Sequence, residues 1–322
     1  MLRVLRKAIG NRAERVPRRQ LGPFRTDVTV YHQPSATGIR ITWLGHSSML
    51  LEIDRTTILI DPVWSQRASM VQWAGPKRFF APPLAIADLP PLDAVLLSHD
   101  HYDHLDSAAV AQLVERTPIF VCSLGVGEHL RRWGVPAVKI RELGWMDTFS
   151  ARKGLEITAL PARHFSGRGL KRFRTLWSSF ALESAHHRIY HGADSGYYEG
   201  FREIGEHFAQ KPYGDGSSGR AFDLVTLEIG AFDPLWHQIH LGPENAAKAF
   251  HELRAGSLMP IHWGLFNLAF HAWDAPIEEM LELAEEQGIP LFLPTPGVPT
   301  ELDANGPIEP VSVLPQWWRS PR

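Results

Sequence analysis

With 322 residues, 44% of them hydrophobic and 21% charged, the chain has ample material for a buried core and is neither disordered nor fibrous. Its formal net charge of −2 gives no general pull toward nucleic acid, so no nucleic-acid partner is expected and an anionic ligand must be met by a local basic patch. The one cysteine, Cys122, excludes an intramolecular disulfide and a thiolate metal cluster. No apolar run is long enough for a signal peptide or a membrane span, which leaves a cytoplasmic location, with or without peripheral membrane contact, as the expectation.

Residues 1–38 read as a basic, partly ordered N-terminal extension. Over residues 1–25, Arg3, Arg6, Lys7, Arg12, Arg15, Arg18, Arg19 and Arg25 stand against the single acid Glu14. Leu2, Val4, Leu5 and Ile9 can form one apolar face, as in a segment that lies on anionic lipid; a solvated tail is the competing reading. From residue 39 to 322 a single layered α/β domain is expected. Residues 39–44, 49–53 and 57–60 are short apolar strands, the first two joined by the tight turn Gly45-His46-Ser47-Ser48 and the third ended by Asp61-Pro62. His46 reads as a turn or supporting histidine that a shared sheet edge would bring toward a metal. Residues 63–91 lack periodicity and mix Trp64, Met70, Trp73, Phe79 and Phe80 with Arg67, Lys77 and Arg78, as a lid over a site or as aromatic packing.

An apolar run over 92–97 then meets Ser98, and His99, His101, Asp103 and His104 follow within six residues. Imidazole nitrogen with carboxylate oxygen suits Zn²⁺, iron or manganese, whereas Ca²⁺ and Mg²⁺ call for oxygen-rich sets. Alternating His99 and His101 can point to one centre while adjacent Asp103 and His104 turn to a second, so the spacing reads as a two-metal clasp. Asp106 is placed to cap a helix over 107–116.

Strand and helix patterns alternate from there: strand 118–122, helix 127–133, strands 137–140 and 155–160, a hairpin from 178–183 and 188–190, helix 198–210, strand 222–229, helix 243–254, strand 257–261, helix 277–287 and a last strand 291–293. His164 follows the strand 155–160, Asp194 follows the hairpin, and His262 follows the strand 257–261. Asp194, in a turn of small residues, stands where a carboxylate bridging two cations is expected. A basic loop with Arg168, Lys171, Arg172 and Arg174 comes directly after His164, and a flexible loop covers 214–219.

The order H-x-H-x-D-H, lone His, lone Asp, lone His resembles the binuclear metallo-β-lactamase superfamily. That resemblance implies an αββα sandwich with the metals at one sheet edge. The stretches Thr42-Trp43-Leu44-Gly45-His46, Gly75-Pro76-Lys77-Arg78-Phe79, Gly192-Ala193-Asp194-Ser195-Gly196-Tyr197 and Ile261-His262-Trp263-Gly264 are similar, more narrowly, to N-acylphosphatidylethanolamine-hydrolysing phospholipases D and their bacterial relatives. The resemblance implies that His99, His101 and His164 hold one zinc, that Asp103, His104 and His262 hold the other, and that Asp194 bridges both. It also places His240 in the active site, although Ile239 stands where those enzymes carry glutamine.

The implied reaction is hydrolysis of a phosphodiester by a hydroxide between the two cations, with Asp103 taking its proton and His240 serving the leaving group. A phospholipid is the implied partner. A lactonase or small-ester hydrolase on the same metal pair, and a membrane-associated binding protein with a vestigial site, are the alternatives.

Overall fold

The computed structural model describes residues 13–169, 171–212, 219–303 and 311–319. Two sheets stack face to face. The first runs β13-β1-β2-β3-β4-β5-β6, formed by β1 (Ile39–Gly45), β2 (Ser48–Ile53), β3 (Thr56–Ile60), β4 (Ala94–Leu97), β5 (Phe120–Ser123), β6 (Ile140–Leu143) and β13 (Thr300–Glu301). The second runs β12-β11-β10-β9-β8-β7, from β7 (Thr148–Ser150), β8 (Glu156–Leu160), β9 (Ser179–Glu183), β10 (Arg188–His191), β11 (Phe222–Glu228) and β12 (Ala255–Ile261).

The period-two alternation of β side chains divides the core. Met49, Leu51, Ile58, Ile60, Leu96 and Val121 point between the sheets and meet Ile157, Ala159 and Phe180. Their neighbours Leu50, Leu59, Val95, Leu97, Phe120 and Cys122 point outward, where Ala109, Val110 and Leu113 of α1 (Ser107–Leu113) and Leu130 of α2 (Gly127–Arg132) cover them. On the other side α3 (Gly200–Ala209), α4 (Gly242–Glu252) and α5 (Ala275–Gln287) bury Phe201, Phe208, Ala246, Phe250, Ile277 and Met280 against the second sheet. The result is the αββα sandwich.

Strand direction decides where chemistry can gather. β3, β4, β5 and β6 are parallel, and β1 joins them through two antiparallel pairings with β2 between. In the second sheet β10, β11 and β12 are parallel, and β8 shares their direction through β9. The carboxyl ends of β1, β3, β4, β8, β10, β11 and β12 therefore all reach one edge of the sandwich.

The chain departs from the sequence reading in a few places. Residues 137–139 form a 3₁₀ turn, and the strand starts only at Ile140. Residues 291–293 do not make a strand; flanked by Pro290 and Pro294, they keep one bridge from Leu291 to Leu258. The short edge strands β7 and β13 had no legible pattern. Residues 13–33 lie on the sandwich: Trp273 N donates to Glu14 O at 3.0 Å, Thr26 N to Pro83 O at 3.1 Å, and Phe24 packs on Phe80 and Trp317. The apolar face expected from Leu2 to Ile9 and most of the loop over 214–219 fall outside the described residues. Among the described residues no helix is long and apolar enough to cross a membrane.

Candidate metal centre

Each chemistry-bearing side chain sits just past one of the converging strand ends: His46 after β1, Asp61 after β3, His99 to His104 after β4, His164 after β8, Asp194 after β10 and His262 after β12, with Glu228 the last residue of β11. Several of the turns that aim them are strained. His46 (φ 57°), Asp61 (φ 41°), Ala193 (φ 48°) and His262 (φ 64°) all occupy the left-handed region, which non-glycine residues rarely adopt. Close backbone approach completes the edge. A Cβ on Gly230 would lie 2.1 Å from His262 O, and one on Gly196 would lie 2.0 Å from Gln238 O. Only glycine lets the 236–240 loop and the His262 turn come this near.

All seven residues expected as ligands are brought into one cluster. His99 Nε2 and His164 Nε2 lie 2.9 Å and 3.2 Å from His101 Nδ1, and 3.8 Å and 3.6 Å from Asp194 Oδ2. On the other side of Asp194, His104 Nε2 stands 3.1 Å from Oδ1 and His262 Nε2 stands 3.2 Å from Oδ2. Asp103 Oδ2 is 3.4 Å from His262 Nε2 and 3.8 Å from His104 Nε2. Asp194 thus stands between two groups of donors. His240 lies next to them, with its ring 5.2 Å from that of His164 and 5.4 Å from that of His262.

A second layer of contacts fixes which nitrogens face inward. Ser98 Oγ donates to Asp61 Oδ2 at 2.6 Å, so it can only accept from His99 Nδ1–H, 2.9 Å away. His104 Nδ1 donates to the same Asp61 Oδ2 at 2.7 Å, and His164 Nδ1 donates to Ile239 O at 2.9 Å. In all three rings Nε2 is left as a lone pair directed at the centre, the arrangement that orients metal-binding imidazoles. Trp43 Nε1 donates to His46 O, which also accepts the backbone N–H of His262. A tryptophan packed between the sheets thereby positions two site turns at once.

The residues fit a metal centre. His104 Nε2, both ring nitrogens of His262 and Asp194 Oδ1 are buried and find no hydrogen-bond partner, although each such atom costs free energy when unpaired. Their spacing suits one shared cation: tetrahedral donors about 2.0–2.1 Å from Zn²⁺ lie roughly 3.3 Å apart. The electrostatics agree. Burial alone would raise Asp194, yet His104 and His262 hold its carboxyl well below the usual range. Burial would lower His262, yet Asp194, Asp103 and Glu228 hold it up to about 10. Carboxylates this concentrated recruit positive charge, and a divalent cation supplies it without protonating the ligands.

Three residues of the site carried little or no functional signal in the sequence. His46, weighed only as a turn or supporting histidine, places Nε2 3.0 Å from Asp103 Oδ2 and its ring 3.9 Å from that of His262. Asp61 anchors His104 and Ser98, and burial is outweighed by the bond from His104 and by the nearness of His191, 3.8 Å away, which bring it to about 2. Glu228, fully buried, accepts from His240 Nδ1 at 2.5 Å and from the backbone of Ser195 and Leu241. Asp61 shows in the sequence only as the acid that closes an apolar strand, and Glu228 falls inside the stretch 222–229, which the sequence offers simply as a strand.

A cavity of about 660 Å³ opens over the cluster. Phe165, Trp236, Ile239 and Leu268 make its apolar wall, and among the described residues Arg172 is its one cation outside the cluster. Of the basic residues expected near the site, Lys77 and Arg78 line a different cavity. Arg168 is also removed from ligand binding: it donates to Asp100 O and Leu105 O and stacks 4.0 Å from the ring centre of Tyr102.

A model of the beta-lactamase superfamily domain matches residues 56–263. An uncharacterized protein of Mycobacterium tuberculosis is 43% identical over 89% of this chain and 74% of its own. An N-acyl-phosphatidylethanolamine-hydrolyzing phospholipase D of Caenorhabditis elegans is 35% identical over 73% of this chain and 66% of its own. Among solved structures, an isothiocyanate hydrolase from Delia radicum gut bacteria is similar at TM-score 0.62 and 21% identity, covering 81% of this chain and 98% of that one. The diiron β-hydroxylase CmlA of Streptomyces venezuelae is similar at TM-score 0.57 and 18% identity, over 80% of this chain and 53% of that one. These two likenesses concern the fold.

Proposed function

Because the chain belongs to the metallo-β-lactamase superfamily and is a metal-dependent hydrolase, we propose that it is a two-zinc phosphodiesterase of phospholipase D type, acting on N-acylphosphatidylethanolamine-like lipids. The observation that carries this reading is the cavity over the cluster. It joins a predominantly apolar wall to one arginine and to the paired donors, which suits an anionic centre bearing long apolar chains. The relatives that act on such a lipid support the same substrate class. Zinc is favoured by the excess of imidazole over carboxylate among the donors.

His99, His101, His164 and Asp194 would hold one cation, and Asp103, His104, His262 and Asp194 the other; when bound, such a pair acidifies water and neutralises charge growing on phosphate. Arg172, exposed at the cavity, takes a non-bridging phosphate oxygen. Phe165, Trp236 and Leu268 receive the acyl chains and exclude water. Asp103, whose carboxylate faces the cavity with 14% of its side chain exposed, takes the proton of the attacking water. A new P–O bond forms to water oxygen as the bond from phosphorus to the ethanolamine oxygen breaks. His240, held through Nδ1 by Glu228, gives a proton from Nε2 to the departing alkoxide, and Asp103 later restores it. The products are phosphatidic acid and an N-acylethanolamine.

The cavity mouth suits a peripheral membrane contact. From Phe165 a chain of rings runs through Phe173 at 6.3 Å to Trp177 at 5.9 Å and Trp145 at 6.1 Å, and Phe173 is 66% exposed.

The test is turnover of N-acylphosphatidylethanolamine in ¹⁸O-labelled water with mass-spectrometric detection. Label is expected in phosphatidic acid and not in the N-acylethanolamine. Label in the N-acylethanolamine would overturn attack at phosphorus, and label in a released fatty acid, or turnover confined to short uncharged lactones, would replace the phosphodiesterase reading with an ester hydrolase.

A further inference from the structure

On the outer face of the domain, residues 16–20 and 64–82 enclose a groove of about 900 Å³, which shares no lining residue with the cavity over the metal centre. Among the described residues four cations line it, Arg18, Arg19, Lys77 and Arg78, and no carboxylate does. Arg18 reaches Glu14 at 2.9 Å. Among the described residues no acidic side chain pairs with Arg19 or Lys77, and both are exposed.

Arg78 makes the groove more than a basic surface. It is 7% exposed; its Nη1 and Nη2 donate to the carbonyls of Trp64 and Val63, and its buried Nε has no acceptor. Asp106 is the carboxylate whose charge it feels, but both Asp106 oxygens are already engaged. Oδ1 accepts from Ser65 Oγ and Ala108 N, and Oδ2 accepts from Trp64 N and Ser65 N. Burial pushes the guanidinium down to about 10. A buried cation held by carbonyls alone is an incomplete pair, and the missing partner is an anion. Beside it the walls are apolar, from Pro17, Trp64, Phe79 and Pro82.

We propose that this groove is a second binding site, which takes the phosphate of an anionic ligand on Arg19, Lys77 and Arg78. The phosphate belongs either to a lipid headgroup or to free phosphate. The inference does not depend on the phosphodiesterase reading. The groove adjoins the active site through one loop: Asn267 lines the groove, the next residue, Leu268, lines the metal cavity, and Phe79 N donates to Leu265 O at 2.9 Å.

The experiment uses the full, metal-loaded chain and its double variant Arg19→Gln with Lys77→Gln, two exposed positions outside the metal centre. Each is titrated calorimetrically with inorganic phosphate at an ionic strength fixed with chloride, and each is sedimented with phosphatidylglycerol or phosphatidylcholine vesicles. Phosphate also reaches the metal centre, so the difference between the two proteins is the quantity read, at equal metal content. At least tenfold weaker phosphate binding in the variant supports the site and assigns free phosphate. An unchanged phosphate titration with at least tenfold loss of retention on phosphatidylglycerol alone supports it and assigns the headgroup. Equal behaviour of both proteins in both assays overturns it. Arg78→Lys, which keeps the charge but not the planar fork, is expected to weaken the same binding; if it does not fold, the surface double variant still decides.

Discussion

At the carboxyl edge of the sandwich His104 stands between Asp61 and Asp194; at the opposite edge His187 stands between Asp54 and Asp223. The parts are the same, an imidazole between two acids, but their surroundings differ. Asp54 accepts from Ser184 Oγ and His186 N, and Asp223 accepts from Arg188 N while pairing with Arg220 at 2.8 Å. No polar side-chain atom of that trio is buried without a partner. At the carboxyl edge His104 Nε2, Asp194 Oδ1 and both nitrogens of His262 lack one. Satisfied pairs close a fold, whereas converging unsatisfied donors mark a place kept for something else. Residue type alone does not separate these two trios; three-dimensional satisfaction does.

The sharpest way to break this contrast is to remove the carboxylate shared by the two donor groups. Asp194→Asn is expected to lower metal content from about two ions per chain and to reduce turnover roughly 10³-fold or more, the scale of several kcal/mol supplied by metal-ion catalysis. Elemental analysis alongside turnover checks it. A fully active wild type that holds one ion, or an active variant, would dismiss the bridging role.

Next in size is Glu228→Gln, which keeps an acceptor for Ser195 and Leu241 but weakens the grip on His240. Turnover is expected to fall about 10–100-fold, the usual cost of losing a residue that orients a site histidine, with metal content unchanged. A parallel loss of metal would show that Glu228 acts on His262 and not through His240.

Arg172→Gln tests how the cavity reads charge. KM for an anionic phosphodiester is expected to rise about tenfold, the scale of one charge-assisted hydrogen bond, with little change for an uncharged lactone. Lys171 and Arg174 do not line the cavity, so neutralising them is expected to change KM far less. A triple neutralisation that behaves like Arg172→Gln alone would agree with this.

How much of this was legible in advance follows from how local each signal is. His99 to His104 could be read because four ligand types sit in one loop, and His164, Asp194 and His262 because each follows a strand. Asp61 could not, because an acid after an apolar strand looks like a turn, and Glu228 could not, because an acid within a strand gives no sign of the edge it serves until the strand directions are known. The 63–91 segment divides in the same way: Phe80 and Arg78 are buried while Trp73 is 81% exposed, a split set by Phe80 packing on Phe24 and Trp317 and by Arg78 bonding the carbonyls of Val63 and Trp64, and not by any periodicity.

The smallest effect lies at the quiet edge and gives the comparison its control. Bonding to Asp223 raises His187 above its ordinary value against some burial, and the charges of Asp223 and Asp54 add to this. A folded-state pKa above the unfolded value means that the charged imidazole stabilises the native state fully below about pH 6.5, and that this contribution is lost as pH rises through the raised value. Asp54 and His187 lie in turns of different sheets, so the trio ties the two layers together. It is partly open to solvent, and screening limits its worth to about 1 kcal/mol or less. His187→Asn is therefore expected to lower thermal stability slightly at pH 5.5 and to flatten its decline between pH 6 and 8, while metal content and turnover stay at wild-type levels. Thermal melts across that range, paired with turnover, check both halves. A loss of turnover or of metal from this substitution would mean that the two edges are energetically coupled, and that the quiet edge is not merely structural.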